Sequence, residues 1–427
     1  MNEKGYGVAH LDGVRYFVAG VLPGELVDAE VVTKKKGTRY TKAVLIVEKN
    51  KNRVLPKDQE SYLSTSPYQI MAQGYENEIK KELIQNLFTE IADTQLPDSD
   101  VIASDKEYKY RNKFEFSFYI DAEEAISLAF HKRDSHRGKQ PVDTVALAPD
   151  RVNDFMKQFI KEVNQLHKAG KLQFADLKSL VVRYSFHEDK IVYALYLKNE
   201  IKALEFNETD TEQYVKGSIQ LYSDPRSPAS VASGEISRSG ELELIEKVGD
   251  YSFVYGYDSF FQVNPQLFAQ TVSDIKEYLA KQSNRNHLYD LYSGVGTIGI
   301  SLADMYDTVS LLELSEDSPI YAKKSAELND ISNVTAVAGK VEANLDSIDR
   351  GKSHVVVDPP RSGLHLKLVE KLLELKPQLL IYLSCNPKTQ AEDYRKLSQI
   401  YDIKFNRAYN YYPKTPHVEN LLILEPR

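Results

Sequence analysis

One cysteine occurs in 427 residues, and it stands in LLIYLSCNPKTQ, residues 379 to 390. A free cysteine is most often a small buried hydrophobe, but its thiolate is a strong nucleophile wherever the surroundings lower its pKa. Cys385 closes the apolar run LLIYLS and Asn386-Pro387 follows at once, so the side chain sits where the chain turns outward. No metal-ligand spacing accompanies it. Two more stretches carry candidate chemistry. In DLYSGVGTIG, Gly294 and Gly296 lie between an apolar run at His287 to Leu291 and a helical pattern from Thr297 to Met305. Glycine permits a tight turn and a close approach of backbone to ligand, and the following helix start offers unpaired N–H groups. Glu313 ends the run TVSLLEL, where an acid accepts hydrogen bonds from ribose hydroxyls and disfavours a 2′-phosphate. These features suit an adenosyl cofactor and leave NAD and S-adenosylmethionine open. HVVVDPPRSG then ends a buried run with Asp358, held by Pro359 and Pro360, which fix the turn and lack N–H donors.

The elements that must position these residues are apolar strands alternating with helical patterns from about residue 251 to the end: NHLYDLYSGVGTIGISLA, DTVSLLELSEDSPIYAKKSAELN, VTAVAGKVEANL, SHVVVDPPRSG, KLVEKLLELKPQLLIYLSCNP and AEDYRKLSQIYDIKFNRAYNYYP. That alternation is the signature of an α/β domain built on a doubly wound, mostly parallel sheet. Ligands of such sheets lie outside the carboxyl ends of the strands, where Gly294, Glu313, Asp358 and Cys385 all fall.

The remainder of the chain reads differently. Residues 1–52 are short β patterns broken by Asp12-Gly13 and Pro23-Gly24, which suggests a small OB-like β-barrel. The segment 1–57 holds eleven Lys and Arg against six Asp and Glu, although the whole chain has a net charge of −8. Its Lys34 to Lys42 loop is either a solvated hairpin tip or a phosphate contact. In YENEIKKELIQNLFTEIA (75–92), Ile79, Leu83, Leu87, Phe88 and Ile91 repeat at helical spacing, a packing helix expected to lie on the last domain. Residues 100–250 alternate as strands around one helical interval, VNDFMKQFIKEVNQLHKAG, and read as a central α+β domain. Its clusters YKYRNK (108–113) and HKRDSHRGK (131–139) suit phosphates and stacked bases, or are ordinary exposed loops.

A single cysteine excludes an intramolecular disulfide framework and any site built from several thiolates. No apolar run reaches the ~18 residues of a membrane span, and Met1 is not followed by a basic and then apolar leader. The expectation is a cytoplasmic protein with no membrane partner.

Taken in order, FFQVNPQLF, DLYSGVGTIG, VVVDPPRSGL, YLSCNPKT and YYPKTPHVENLLIL resemble the S-adenosylmethionine-dependent RNA uracil-5 methyltransferases. The segment GYGVAHLDGVRYFVAGVLPGELVDAEV is similar to the TRAM domain carried by the ribosomal-RNA branch of that family, and the chain is closest in kind to its 23S rRNA enzymes from Gram-positive bacteria. The resemblance implies a Rossmann-like methyltransferase domain at 251–427, a TRAM-like RNA-binding barrel at 1–52 and an RNA-binding central domain at 100–250. It implies that Cys385 adds to uracil C6 and that the resulting enolate takes the methyl group at C5. It also implies that Glu419 of HVEN, otherwise one acid among many, removes the C5 proton so that the cysteine can leave. Gln262, Tyr292, Glu313 and Asp358 are implied around S-adenosylmethionine, and flipping of the target base into the pocket is required. Phe260 and Phe261 suit core or lip packing. Arg361 could meet a phosphate or the enolate oxygen, or form a structural ion pair. Many relatives carry a [4Fe–4S] cluster on four cysteines; PKDQESYLSTSPYQIM and TVALAP have none, so no iron–sulfur cluster is expected. The implied partner is a 23S rRNA stem-loop, with no protein partner indicated. A transfer-RNA uridine-5 methyltransferase and a catalytically silent RNA-binding protein are the alternatives.

Overall fold

The computed structural model describes all residues except 134–137, 207–210, 342–347, 349 and 350. Part of the basic stretch at 131–139 and the end of VTAVAGKVEANL therefore lie outside the described residues. The chain divides into two compact units.

One unit comprises Asn77–Asp105, Ile245–Pro413 and His417–Arg427. Its sheet contains β1 (His287–Leu291), β2 (Thr308–Glu313), β3 (Val334–Ala338), β4 (His354–Val357), β5 (Leu379–Ser384), β6 (Tyr401–Asn410) and β7 (Glu419–Pro426), in the order 3-2-1-4-5-7-6, with Ile102–Ala103 added beside β6. β1 to β5 are parallel; β7 runs antiparallel to both β5 and β6. β1, β4 and β5 are buried along nearly their whole length, as strands of a parallel sheet covered on both faces are. This is the doubly wound α/β fold that the alternation predicts, and its switch in strand order falls between β1 and β4.

The helix over Gln73–Ala92 supplies Ile84, Phe88 and Ala92 to the core beneath this sheet, with Val355, Val357, Leu380 and Leu422. Its Lys80, which stands outside the apolar repeat, is buried. The ammonium donates to Asn410 Oδ1 at 2.6 Å and to the Tyr412 carbonyl at 3.2 Å. The predicted helix from Thr297 to Met305 is instead a short α-helix, Thr297–Ser301, followed by a 3₁₀ turn, Ala303–Met305. At the break the Leu302 N–H is shared between the Ile298 and Gly299 carbonyls, the tightening common at helix ends.

The other unit comprises Met1–Glu76, Lys106–Leu244 and Lys414–Pro416. Its N-terminal β domain is a four-stranded sheet of Gly7–Leu11, Val14–Ala19, Thr38–Glu48 and Leu26–Lys35, in that spatial order. Asp12-Gly13 and Lys36-Gly37 both adopt positive φ at the hairpin tips, as two-residue turns require. A second sheet of seven strands, spanning Lys113 to Gly240, packs on the helix Asp150–Lys168 through Phe155, Met156 and Phe159. In the 108–113 cluster Tyr110 is a core residue, and the ring of Tyr108 is covered by the Lys57 ammonium at 3.8 Å. The cluster is thus packing rather than an open stacking surface, because its aromatic rings close the edge of that core.

One glycine fixes the loop after β4. Gly363 has φ +81°, and a Cβ there would lie 2.7 Å from the Asp393 carboxylate. That carboxylate accepts from the Leu364 N–H and the Tyr382 hydroxyl, both at 2.8 Å, and so ties the loop to β5. Gly363→Ala is expected to cost about 1–3 kcal/mol through strained backbone and overpacking. Urea unfolding reads this as a lower midpoint at unchanged slope; an unchanged midpoint contradicts it.

Candidate active site

The carboxyl ends of β1, β2, β4 and β5 open on one cavity of about 960 Å³. It is lined by all six candidate residues, Gln262, Tyr292, Glu313, Asp358, Cys385 and Glu419.

On the β1–β2 side the turn is held open. Tyr292 has φ +63°, and Gly294 and Gly296 have φ +55° and +82°. For tyrosine such a backbone is strained, which marks a turn imposed by its surroundings. A Cβ on Gly294 would meet nothing within 4 Å, so the turn leaves free space above it. The Glu313 carboxylate faces that space and accepts from the Gly294 N–H at 2.9 Å and the Ser315 N–H at 3.1 Å. Each oxygen retains a lone pair for a further donor. Behind the turn lies Asp290, which sequence reasoning passed over. It is 1% exposed and accepts from the Gly299 N–H at 2.8 Å, while its other oxygen has no partner among the described residues. Its only sequence signal was a carboxylate interrupting the apolar run of β1 one residue before its end.

At the end of β4, the Gln262 side-chain amide donates to Asp358 at 3.1 Å, and both residues line the cavity. Asn264 fixes the approach of Gln262 by capping the helix Pro265–Leu279, its side chain accepting from the Leu267 N–H. Phe261 is buried and stacked on Tyr255 at 4.4 Å, whereas Phe260 is 64% exposed on the cavity lip.

Cys385 follows β5 directly, and the helix Pro387–Leu397 begins two residues later with Asn386 as its cap. The Asn386 amide donates to the Arg361 carbonyl at 2.7 Å, stapling the cysteine turn to the Asp358-Pro-Pro-Arg361 loop. Ser384 pairs with Asn420 across β5 and β7. One step further along this antiparallel register, Cys385 and Glu419 come to the same edge of the sheet. Glu419 is 3% exposed; it accepts from the Tyr412 hydroxyl at 3.2 Å, and its second oxygen has no partner among the described residues. Arg361 is exposed and lies 3.1 Å from His417 Nδ1, with no ion pair among the described residues. Sequence reasoning also missed Tyr412: it stands within YYPKTPHVENLLIL, but nothing local there signals its hydrogen bond to Glu419.

Burial dominates the electrostatics. It raises Asp290 to about 8, with Asp358 and Glu313 adding to the effect against the Gly299 hydrogen bond. Burial raises Asp358 to about 7, opposed by the Gln262 hydrogen bond. Glu419 is pushed well above the ordinary carboxylate range by burial and by Asp358, opposed by Tyr412 and Arg361. Cys385 is pushed up to about 12 by burial and by Glu419 and Asp358, with Arg361 opposing. A ready thiolate is therefore not what this site holds by itself: burial, reinforced by Glu419 and Asp358, keeps the proton on the thiol.

An adenosyl group fits these residues. The open turn above Gly294 accepts its backbone-proximal part, Glu313 retains acceptor capacity, and Phe260 and Leu314 offer exposed apolar surface on the same cavity.

The model of the family described as tRNA (Uracil-5-)-methyltransferase matches residues 74–427. The chain belongs to this family. Among its relatives, an uncharacterized RNA methyltransferase of Caldanaerobacter subterraneus subsp. tengcongensis is 30% identical, with 100% of this chain and 97% of that protein covered. Another, from Enterococcus faecalis, is 28% identical, with 99% and 95% covered. The fold is shared with the Pyrococcus abyssi tRNA (uracil-54, C5)-methyltransferase, solved in complex with S-adenosyl-L-homocysteine: TM-score 0.75 at 23% identity, over 99% of this chain and 98% of that one. The uracil-5 methyltransferase is accordingly an S-adenosylmethionine-dependent enzyme acting on RNA. Among its described residues no helix is long and apolar enough to cross a membrane, and no group of three His, Cys, Asp or Glu is placed to hold a metal ion.

Asp290 and Asp358 bind protons in the folded enzyme that they release near pH 4 when unfolded. Their contribution to stability is complete below that pH and is lost as pH rises through about 7 and about 8. Each group contributes a slope of up to about 1.4 kcal/mol per pH unit within its window. Chemical denaturation between about pH 5 and 8 is expected to find the ligand-free protein losing stability, and Asp290→Asn losing less. Parallel pH profiles for the two proteins would contradict a buried, protonated Asp290.

Proposed function

We propose that this methyltransferase forms 5-methyluridine in 23S ribosomal RNA, with Cys385 as nucleophile and Glu419 as general base. The observation that carries the chemical part is that these two residues line one cavity together with the glycine turn, Glu313 and Asp358. Bound S-adenosylmethionine supplies an electrophilic methyl group on a positively charged sulfonium. Tyr292, Glu313, Asp358 and Gln262 would hold it, the first two at the β1–β2 side and the last two at the end of β4.

Uracil C5 is a weak nucleophile until a group adds at C6. In this reading the Cys385 sulfur bonds to C6, and the electron pair of the C5–C6 double bond moves toward C5 and the C4 oxygen. Because the thiol is held protonated, its proton passes to solvent as the sulfur bonds to C6. Arg361, which opposes both the Cys385 and Glu419 shifts, would in this reading favour the developing negative charge. Glu419 must first give up its own proton to solvent, since burial favours its neutral form; once C5 carries both a methyl group and its original proton, the Glu419 carboxylate takes that proton and the sulfur departs from C6, restoring the double bond. The Tyr412 hydroxyl fixes which carboxylate oxygen is engaged, leaving Oε2 for the substrate. A uridine reaches a cavity of this depth only by leaving its stack.

The ribosomal-RNA assignment rests on the TRAM-like character of residues 1–52 and the basic hairpin at Lys34 to Arg39, both ahead of the family-matched residues. A second reading, transfer RNA as substrate, is favoured by the family's description and by the substrate named for the Pyrococcus abyssi enzyme. That enzyme shares the fold over nearly the whole chain, so an N-terminal β domain does not by itself separate the two substrates. Transfer of labelled methyl groups to 23S rRNA and tRNA transcripts offered in parallel decides between them. Label in the 23S transcript is expected; label confined to tRNA selects the second reading.

RNA containing 5-fluorouridine, given with S-adenosylmethionine, is expected to remain covalently attached to the enzyme, because fluorine cannot leave C5 as a proton. Denaturing electrophoresis reads the adduct. Its persistence in Cys385→Ala, or its absence from the intact enzyme, would sink the covalent route.

A further inference from the structure

A second cavity, of about 380 Å³, opens on the seven-stranded sheet of the other unit. Lys139, Lys178 and Lys198 line it, with Tyr119 and Phe174 as its aromatic surface. Three different strands or strand ends bring the lysines together: Lys139–Pro141, Leu177–Ser185 and the residue after Lys190–Leu197.

The three ammonium groups are not equivalent. Lys178 is committed, since its Nζ donates to Ser223 Oγ, the Asp224 carbonyl and the Ser227 carbonyl. Lys139 Nζ meets only another basic group, His131 Nε2, at 2.8 Å. Lys198 makes no side-chain hydrogen bond or ion pair with the described residues. The acids within electrostatic reach are engaged elsewhere: Glu115 accepts from Ser230, and Asp224 is paired with Arg226. Three lysines thus line one concave site in a chain of net charge −8, with His131 against the Lys139 ammonium, and among the described residues no carboxylate lines it. Partial burial and Lys198 both lower the Lys139 pKa, and burial together with the Lys139 charge lowers that of His131, so among the described residues the repulsion between Lys139 and Lys198 is left uncompensated. An anion relieves it.

We propose that this pocket binds a backbone phosphate of the RNA substrate, held by Lys139 and Lys198 and flanked by the rings of Tyr119 and Phe174, as a contact separate from the methyl-transfer cavity. The proposal rests on RNA being the substrate and is indifferent to whether that RNA is ribosomal or transfer. Phosphate contacts set orientation and affinity rather than sequence choice. The pocket should therefore govern RNA binding and leave the chemical step alone.

The test uses the full chain and the variants Lys139→Gln/Lys198→Gln and Lys139→Arg/Lys198→Arg; Lys178 is left in place because it holds the 223–227 loop. Equilibrium binding to 23S rRNA and tRNA transcripts is measured over a salt series, alongside steady-state methylation. For the glutamine pair, the slope of log affinity against log salt is expected to fall by roughly one, the value of a single phosphate contact. KM for RNA should rise about tenfold, with kcat and KM for S-adenosylmethionine unchanged, and the arginine pair should restore both readings. An unchanged salt slope and RNA KM in the glutamine pair would overturn the proposal. So would inorganic phosphate binding that is lost in the glutamine pair while RNA binding is not, since the pocket would then serve a free anion. Because methyl transfer is read on the same transcripts, failure of the methyltransferase assignment appears as absent activity in every form, distinct from an unchanged slope.

Discussion

The site depends on one strand running the wrong way. In a sheet whose other central strands are parallel, β7 enters between β5 and β6 in the opposite sense, so its first residue emerges where the parallel strands end. Glu419 thereby reaches the edge that already holds Asp358 and Cys385. A parallel strand in the same slot would deliver its first residue to the far edge of the sheet. Everything else near the pair serves to hold that edge. Asn386 staples the cysteine turn to the Arg361 carbonyl, Asp393 ties the Gly363 loop to β5, and buried Lys80 anchors the backbone leading to Tyr412.

Bringing Asp290, Asp358 and Glu419 into one cavity with a thiol has an electrostatic consequence. Like charges in a low-dielectric site cannot all ionise, and burial penalises each of them separately. Asp290, Asp358, Glu419 and Cys385 are accordingly all shifted toward their neutral forms, with Arg361 the cation that opposes the shifts of the last two. The proton inventory of the ligand-free enzyme is therefore fuller than free amino acids would give at neutral pH. Perturbed groups of this kind concentrate where chemistry is done, at some expense of stability.

Much of this was legible in the sequence because it is local. Apolar runs ended by Gly294, Glu313, Asp358 and Cys385 identify strand ends, and a doubly wound sheet places such ends on one edge. Asp12-Gly13 announced its hairpin for the same reason: two residues suffice to set the turn. What escaped depends on partners distant in the chain. Lys80 looks like a solvated helix position until β6 ends against it. Asp290 looks like a flaw in an apolar strand until the Gly299 N–H is seen to bind it. Tyr110 has the composition of a nucleic-acid contact and lies in the core. Glu419 could be singled out only through resemblance to a family, since its meaning comes from the antiparallel register and not from its neighbours. Nor could the sequence disclose that Cys385 is held as a thiol, because the burial that chiefly causes it comes from the folded site and the two acids that add to it lie 27 and 34 positions away in the chain.

The central claim is that Cys385 and Glu419 act in succession on one uracil. Intact-mass analysis of Glu419→Gln after incubation with S-adenosylmethionine and ordinary uridine-containing substrate RNA tests it most directly. The account predicts a covalent enzyme–RNA species already carrying the transferred methyl group and little released product, because the sulfur cannot leave until the C5 proton is removed. Turnover at the rate of the unaltered enzyme, or loss of product without any covalent species, would contradict it.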